Sequence, residues 1–165
     1  RLHNPGKMRR TIRPRRPAAS QGAAPAARCP LPDDDEENTV RDATTLKETA
    51  TAFLRLTAGG QVDDAFARYA APGFRHHNPY FAADVATLRA AMKENAARFP
   101  HMVYEVQRAI AEGPLVAVHA RAVMEEGGMA LATVHIPRFE EGRIAEMWDI
   151  AQAAPVPMAN RDGMF

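Results

Sequence analysis

Cysteine is almost missing from this sequence: Cys29 is the only one in 165 residues. A single thiol excludes a disulfide framework within the chain and any cysteine-built metal cage, and it suits a reducing, cytoplasmic setting. Long apolar runs are missing too, since none approaches the roughly 18 residues that a membrane-crossing helix needs. Twin arginines occur at Arg9-Arg10 and Arg15-Arg16, but no apolar stretch of about seven residues follows them, so they do not read as an export signal. No two histidines stand three or four residues apart as in a helical metal motif, and there is no glycine-rich phosphate loop or nucleophile elbow. Neither a metal nor an organic cofactor is therefore expected.

What is present is unevenly spread. Residues 1–32 carry eight Lys and Arg and no acid, and five consecutive acids follow at positions 33–37. From Arg41 onward there are thirteen basic and fifteen acidic residues, so the basic character of the whole chain belongs to its start. The Arg, Pro and Ala of residues 1–40 supply too little apolar surface to offset the entropy of ordering, which predicts a disordered tail. An organelle transit peptide or a nucleic-acid-binding arm has a similar composition. A linker is the simpler reading, and neither nucleic acid nor membrane is expected as a partner. Residues 41–165 have the apolar content of one folded domain.

Within that domain the hydrophobic period changes once. Residues 44–58 place Leu46, Ala50, Phe53, Leu54 and Thr57 on one helical stripe, with Gly59-Gly60 as the stop. A short second helix follows Asp63 and Asp64, and a third is capped by Asp84 and closed by Pro100. Between them runs a loop through residues 74–81. After Pro100 the period becomes two: residues 102–110, 115–124, 129–139 and 144–153 read as strands, joined by turns at Gly113, Gly127-Gly128 and Gly142. Three helices followed by an antiparallel meander predict an α+β fold, with helices packed on one face of a curved sheet.

The polar residues set in apolar surroundings are few. His77-Asn78-Pro79-Tyr80 is a loop of imidazole, amide and aromatic groups ahead of a helix, suited to a pocket mouth or simply to an Asx turn before proline. His119 and Arg121 share one face of the second strand, which is either cavity or exterior. In the last strand Glu146, Trp148, Ile150 and Gln152 share one face, and Met147, Asp149 and Ala151 share the other. A carboxylate against the lone Trp is a candidate base, although a core Trp flanked by surface acids explains the same pattern.

Taken in order, His77-Asn78-Pro79, then Arg138-Phe139-Glu140-Glu141-Gly142-Arg143-Ile144, then Glu146-x-Trp148-Asp149-x-x-Gln152, and the terminal Asn160-Arg161-Asp162-Gly163-Met164-Phe165, resemble the SnoaL-like proteins of the nuclear transport factor two superfamily. The last motif is similar to the branch predicted to catalyse aldol condensations. The resemblance spans about residues 44–165. It implies a cone-shaped sheet wrapped against helices around an apolar cavity, homodimers, and a small apolar molecule as ligand. It also implies intramolecular aldol chemistry on a polyketide-like carbonyl compound, without cofactor or metal. The cyclases carry their catalytic Asp four residues after the strand Trp, and Gln152 stands there in this chain. His77, matching the loop histidine, is then expected as the base with Asp149 assisting. Asn78 or His119 is expected as the donor, and Tyr80, Trp148 and Gln152 as pocket lining. The runner-up is a non-catalytic ligand-binding or dimerisation module. Epoxide hydrolysis, for which Arg121 and Asp149 are a fragment of the required set, comes third.

Overall fold

The computed structural model describes residues 34–165, so the expected tail lies outside the described residues up to position 33. The elements run α1 (Asp34–Ala58), α2 (Val62–Tyr69), β1 (Ala70–His76), α3 (Val85–Arg98), β2 (Val103–Glu112), β3 (Leu115–Val123), β4 (Ala130–Glu140) and β5 (Arg143–Ala153). Three helices and one curved, unclosed sheet make an α+β architecture, as expected. The first helix begins at Asp34, well ahead of the expected start at residue 44. Its far end closes as foreseen: Gly60 N–H bonds Thr57 O at 3.2 Å, Gln61 N–H bonds Leu56 O at 2.8 Å, and Gly60 has φ +85°. This is the paired bonding of a Schellman stop, in which a residue without Cβ takes the left-handed position. Asp63 and Asp64 lie in the first turn of α2 rather than capping it, whereas Asp84 caps α3 by accepting from Thr87 N–H at 2.8 Å.

The sheet has the order β1-β5-β4-β3-β2. The four later strands form the expected antiparallel meander, and β1 adds a fifth, parallel to β5. In the sequence this segment reads as a helix end and loop, because Pro72-Gly73 interrupts it. An edge strand tolerates such an interruption: Gly73 sits at φ +79° within a register shift between Ala70 and Arg75, and pairing resumes at Arg75 and His76. Further register shifts, at Val106/Arg108 and Arg138/Phe139, help bend the sheet.

The core lies between the helices and the concave face. Phe53, Phe66 and Phe74 meet with ring centroids 5.2, 5.3 and 6.4 Å apart, in a cluster that includes Leu88, Val116, Val118, Ile144 and Met147. Beyond this packed part the concave face carries Tyr104, Thr133, His135 and Asp149, and there the space between sheet and helices is open.

Candidate active site

The loop after β1 is positioned by its own side chains. His76 is buried, with Nε2 at 2.9 Å from Ala82 O and Nδ1 at 3.4 Å from Asn78 N. A carbonyl can only accept and an N–H can only donate, so His76 carries its proton on Nε2. Asn78 Oδ1 accepts from Tyr80 N–H at 3.0 Å, an Asx turn that leaves the Asn78 amide free to donate to Asp149 Oδ2 at 3.0 Å. Pairing of β1 with β5 brings the loop there, through His77 N–H to Met147 O at 2.9 Å.

Asp149 and His135 are directly opposed in β5 and β4. The second carboxylate oxygen, Oδ1, is sealed from solvent without a hydrogen bond, and His135 Nε2 stands 3.7 Å away, beyond hydrogen-bond length. On its other side His135 Nδ1 is 3.2 Å from the Tyr104 hydroxyl. Burial, with the Asp149 charge adding to it, pushes that hydroxyl up to about 12, so it stays protonated and is able to donate to Nδ1. Burial also holds His135 below its ordinary range, partly offset by the Asp149 charge. With Tyr104 as donor to Nδ1, the neutral imidazole presents Nε2–H toward Asp149.

The open space beside this pair has a volume of about 300 Å³, with Phe81, Leu88, Met124 and Leu131 among its apolar walls. A second space of about 170 Å³ adjoins it. An acid, an N–H donor and apolar walls are what carbanion chemistry at a carbonyl requires.

Of the residues expected from sequence, the structure brings Asn78 and Asp149 together at this cavity. It does not bring His77 there. His77 lies on the convex side, stacked on Trp148 with centroids 4.8 Å apart and planes within 3°, and its Nε2 is 2.9 Å from Glu146 Oε1. Glu146 is also held by Arg138 at 2.9 Å and Arg75 at 3.1 Å; His77 first, then Arg138, keeps its carboxyl below the ordinary range. Trp148 and Gln152 share that convex side by strand alternation, and Gln152 is exposed. Tyr80 is 86% exposed. His119 stacks on Phe165 at 6.2 Å, and Arg121 pairs with Glu105 at 3.0 Å, so the epoxide-hydrolase fragment of Arg121 with Asp149 is not assembled. Sequence reasoning did not assign His135 and Tyr104 to the site. Their one signal is that each alternates with residues of the opposite face along its strand, Tyr104 between Val103 and Glu105 and His135 between Val134 and Ile136. Among the described residues no three His, Cys, Asp or Glu gather as a metal set, and no helix is long and apolar enough to cross a membrane.

The family model of the SnoaL-like domain matches residues 50–147. This chain belongs to the SnoaL-like domain family. The match covers Tyr104 and His135 and stops just short of Trp148 and Asp149. Solved structures agree on the fold. A candidate SnoaL-like polyketide cyclase from Jannaschia sp. CCS1 is 22% identical with a TM-score of 0.56, over 67% of this chain and 87% of that one. IdmH, a candidate polyketide cyclase from Streptomyces antibioticus, is 20% identical with a TM-score of 0.53, over 65% and 91%. A candidate ketosteroid isomerase from Kribbella flavida is 22% identical with a TM-score of 0.53, over 73% and 87%. No curated protein matches the sequence. The SnoaL-like chain thus has a cyclase- or isomerase-type fold, and similarity at this level speaks for the fold alone.

Proposed function

We propose that this SnoaL-like protein is a cyclase, lyase or isomerase that removes a proton next to the carbonyl of an apolar, polyketide-like compound. Asp149 takes the proton on its carboxylate, and the electron pair moves to the carbonyl oxygen, which accepts Nε2–H of His135. In ring closure the resulting enolate carbon attacks a second carbonyl of the same molecule, and the proton held by Asp149 passes to the new alkoxide. In isomerisation it returns to a different carbon. Either route balances without a further reactant. Asn78 steers the carboxylate, and Tyr104 holds the imidazole in the donating tautomer. The observation that carries this reading is the buried, unpartnered Asp149 Oδ1 beside an N–H donor in an apolar cavity. Solvent is kept from Asp149 Oδ1, which strengthens the action of the carboxylate on developing charge.

The test is deuterium exchange. Apolar ketones in D₂O should gain deuterium next to the carbonyl in the presence of the protein, and not with Asp149→Asn. Ketones that bind without exchange in the wild type would overturn the catalytic reading in favour of a binding module. The pairing of two chains expected from sequence belongs to the convex face that carries His119, Val134, Ile136 and Trp148. Sedimentation velocity showing a monomer at micromolar concentration would refute it.

A further inference from the structure

The third helix carries one polar residue on its cavity-facing stripe. Leu88, Ala91, Met92 and Asn95 of α3 all border the space of about 300 Å³ beside Asp149 and His135. They stand at i, i+3, i+4 and i+7, the spacing of a single helix face. An apolar residue at the last position would complete that face. Asparagine there weakens the helix, because its side chain competes for backbone hydrogen bonds, and it sets an amide among apolar neighbours. Packing therefore gives no reason for Asn95. The other amide and the hydroxyls around this space and the adjoining one are engaged within the protein. Asn78 is bonded to Asp149 and to Tyr80 N–H, and Thr133 Oγ1 donates to Ala120 O at 3.4 Å. Thr57 Oγ1 donates to Leu54 O at 3.0 Å, and the Tyr104 hydroxyl is held by His135 at 3.2 Å. The half-buried Asn95 side chain has no hydrogen-bond partner among the described residues. Its Oδ1 and Nδ2 keep their full accepting and donating capacity for what enters the cavity. Asp149 and His135 belong to β5 and β4, and Asn95 belongs to the helical wall. A molecule that meets both walls must therefore carry oxygen in two separate places.

Resting on the proton-abstraction reading above, we infer that Asn95 sets substrate specificity by hydrogen-bonding a hydroxyl group carried on the apolar skeleton away from the reacting carbonyl. A hydroxyl suits an amide because it both accepts from Nδ2–H and donates to Oδ1. The substrate class is thus a hydroxylated ketone, with its carbonyl at His135 and its hydroxyl toward α3. An analogue without the hydroxyl leaves the amide unpaired against apolar surface and binds less well.

The ketone 1-tetralone and its 5-, 6- and 7-hydroxy derivatives test this, because they share a rigid skeleton and carbonyl and aim a hydroxyl in different directions. In calorimetry at least one derivative should bind the wild type about five- to tenfold more tightly than 1-tetralone, the gain of one neutral hydrogen bond. Asn95→Leu continues the apolar stripe and should cut that gain to within about twofold. The same variant should hold 1-tetralone as tightly as the wild type does and melt no lower. Asn95→Ala takes its place where circular dichroism shows Asn95→Leu unfolded. No hydroxyl-dependent gain in the wild type, a gain that survives in the variant, or a variant that weakens all four ketones alike would overturn the inference. Deuterium uptake next to the carbonyl of the same ketones tests the other reading separately. Asp149→Asn should lose exchange and keep the hydroxyl-dependent gain. If the wild type exchanges none of them, the proton-abstraction reading fails and the affinities still decide the role of Asn95.

Discussion

His135 and Asp149 face each other across β4 and β5 with Nε2 and Oδ1 3.7 Å apart, too far to bond and close enough to act on one carbonyl group. Each is held from behind, His135 by Tyr104 and Asp149 by Asn78. The facing atoms are therefore the ones without a hydrogen bond to the protein.

Replacing Asp149 by Asn removes the base and keeps the shape. Exchange or turnover should drop by roughly 10²–10⁴-fold, with the melting temperature within a few degrees of wild type. His77→Ala should leave turnover within a few-fold and cost at most about 1 kcal/mol of stability, because it loses a half-exposed stack on Trp148. Paired kinetics on the two variants decide between the bases: the opposite ranking would return the role to His77.

Tyr104→Phe removes the hydroxyl that directs the His135 tautomer. The expected loss in kcat is about tenfold, equivalent to one hydrogen bond of roughly 1–1.5 kcal/mol, with KM little changed. In the proton NMR spectrum the His135 ring should shift toward a mixture of tautomers. An unchanged ring spectrum would show that Tyr104 has no hold on it.

Acid should destabilise the protein in two stages. Burial places the His135 pKa below about 6.5, so the unfolded chain binds that proton first. The stability gained by keeping it neutral is complete above pH 6.5 and declines as pH falls below it. Glu146 sits below about 4.5, so its contribution is complete above that pH and is lost as the folded carboxylate is protonated. In melting curves against pH, His135→Gln should flatten the first decline and Glu146→Gln the second. An identical first decline in His135→Gln and wild type would contradict this.

Phe53 is fully buried against the Phe66 and Phe74 rings. Phe53→Ala should cost about 3–5 kcal/mol in denaturant unfolding. A loss below 1 kcal/mol would mean that the junction of α1, α2 and β1 closes around the gap.

Much of the fold was legible because its signals are local. The Asp84 cap, the Gly59-Gly60 stop and the period-two strands with their glycine turns each depend on neighbours a few residues away, and all appear in the structure. Strand alternation also separated Trp148 from Asp149 correctly. What it does not contain is which face looks inward, and the loop histidine of the resemblance, with Gln152 at the expected Asp position, pointed to His77 on the convex side. β1 was hidden because Pro72-Gly73 breaks its pattern, and only pairing with a strand some 70 residues later makes it one.

The site itself turns on a single residue of register. From the turn, Glu140 pairs with Arg143 and Phe139 with Ile144, and continuing that register would set Asp149 opposite Val134. The irregularity between Arg138 and Phe139 shifts it by one, so that Asp149 meets His135 on the concave face. Sequence by itself determined the presence of three helices, the four later strands and the residues available for chemistry, since these follow from propensity and periodicity along the chain. The bulge, the curvature that buries His135 and the loop that delivers Asn78 arise from packing between distant segments, so tertiary structure alone decided which of those residues share a cavity.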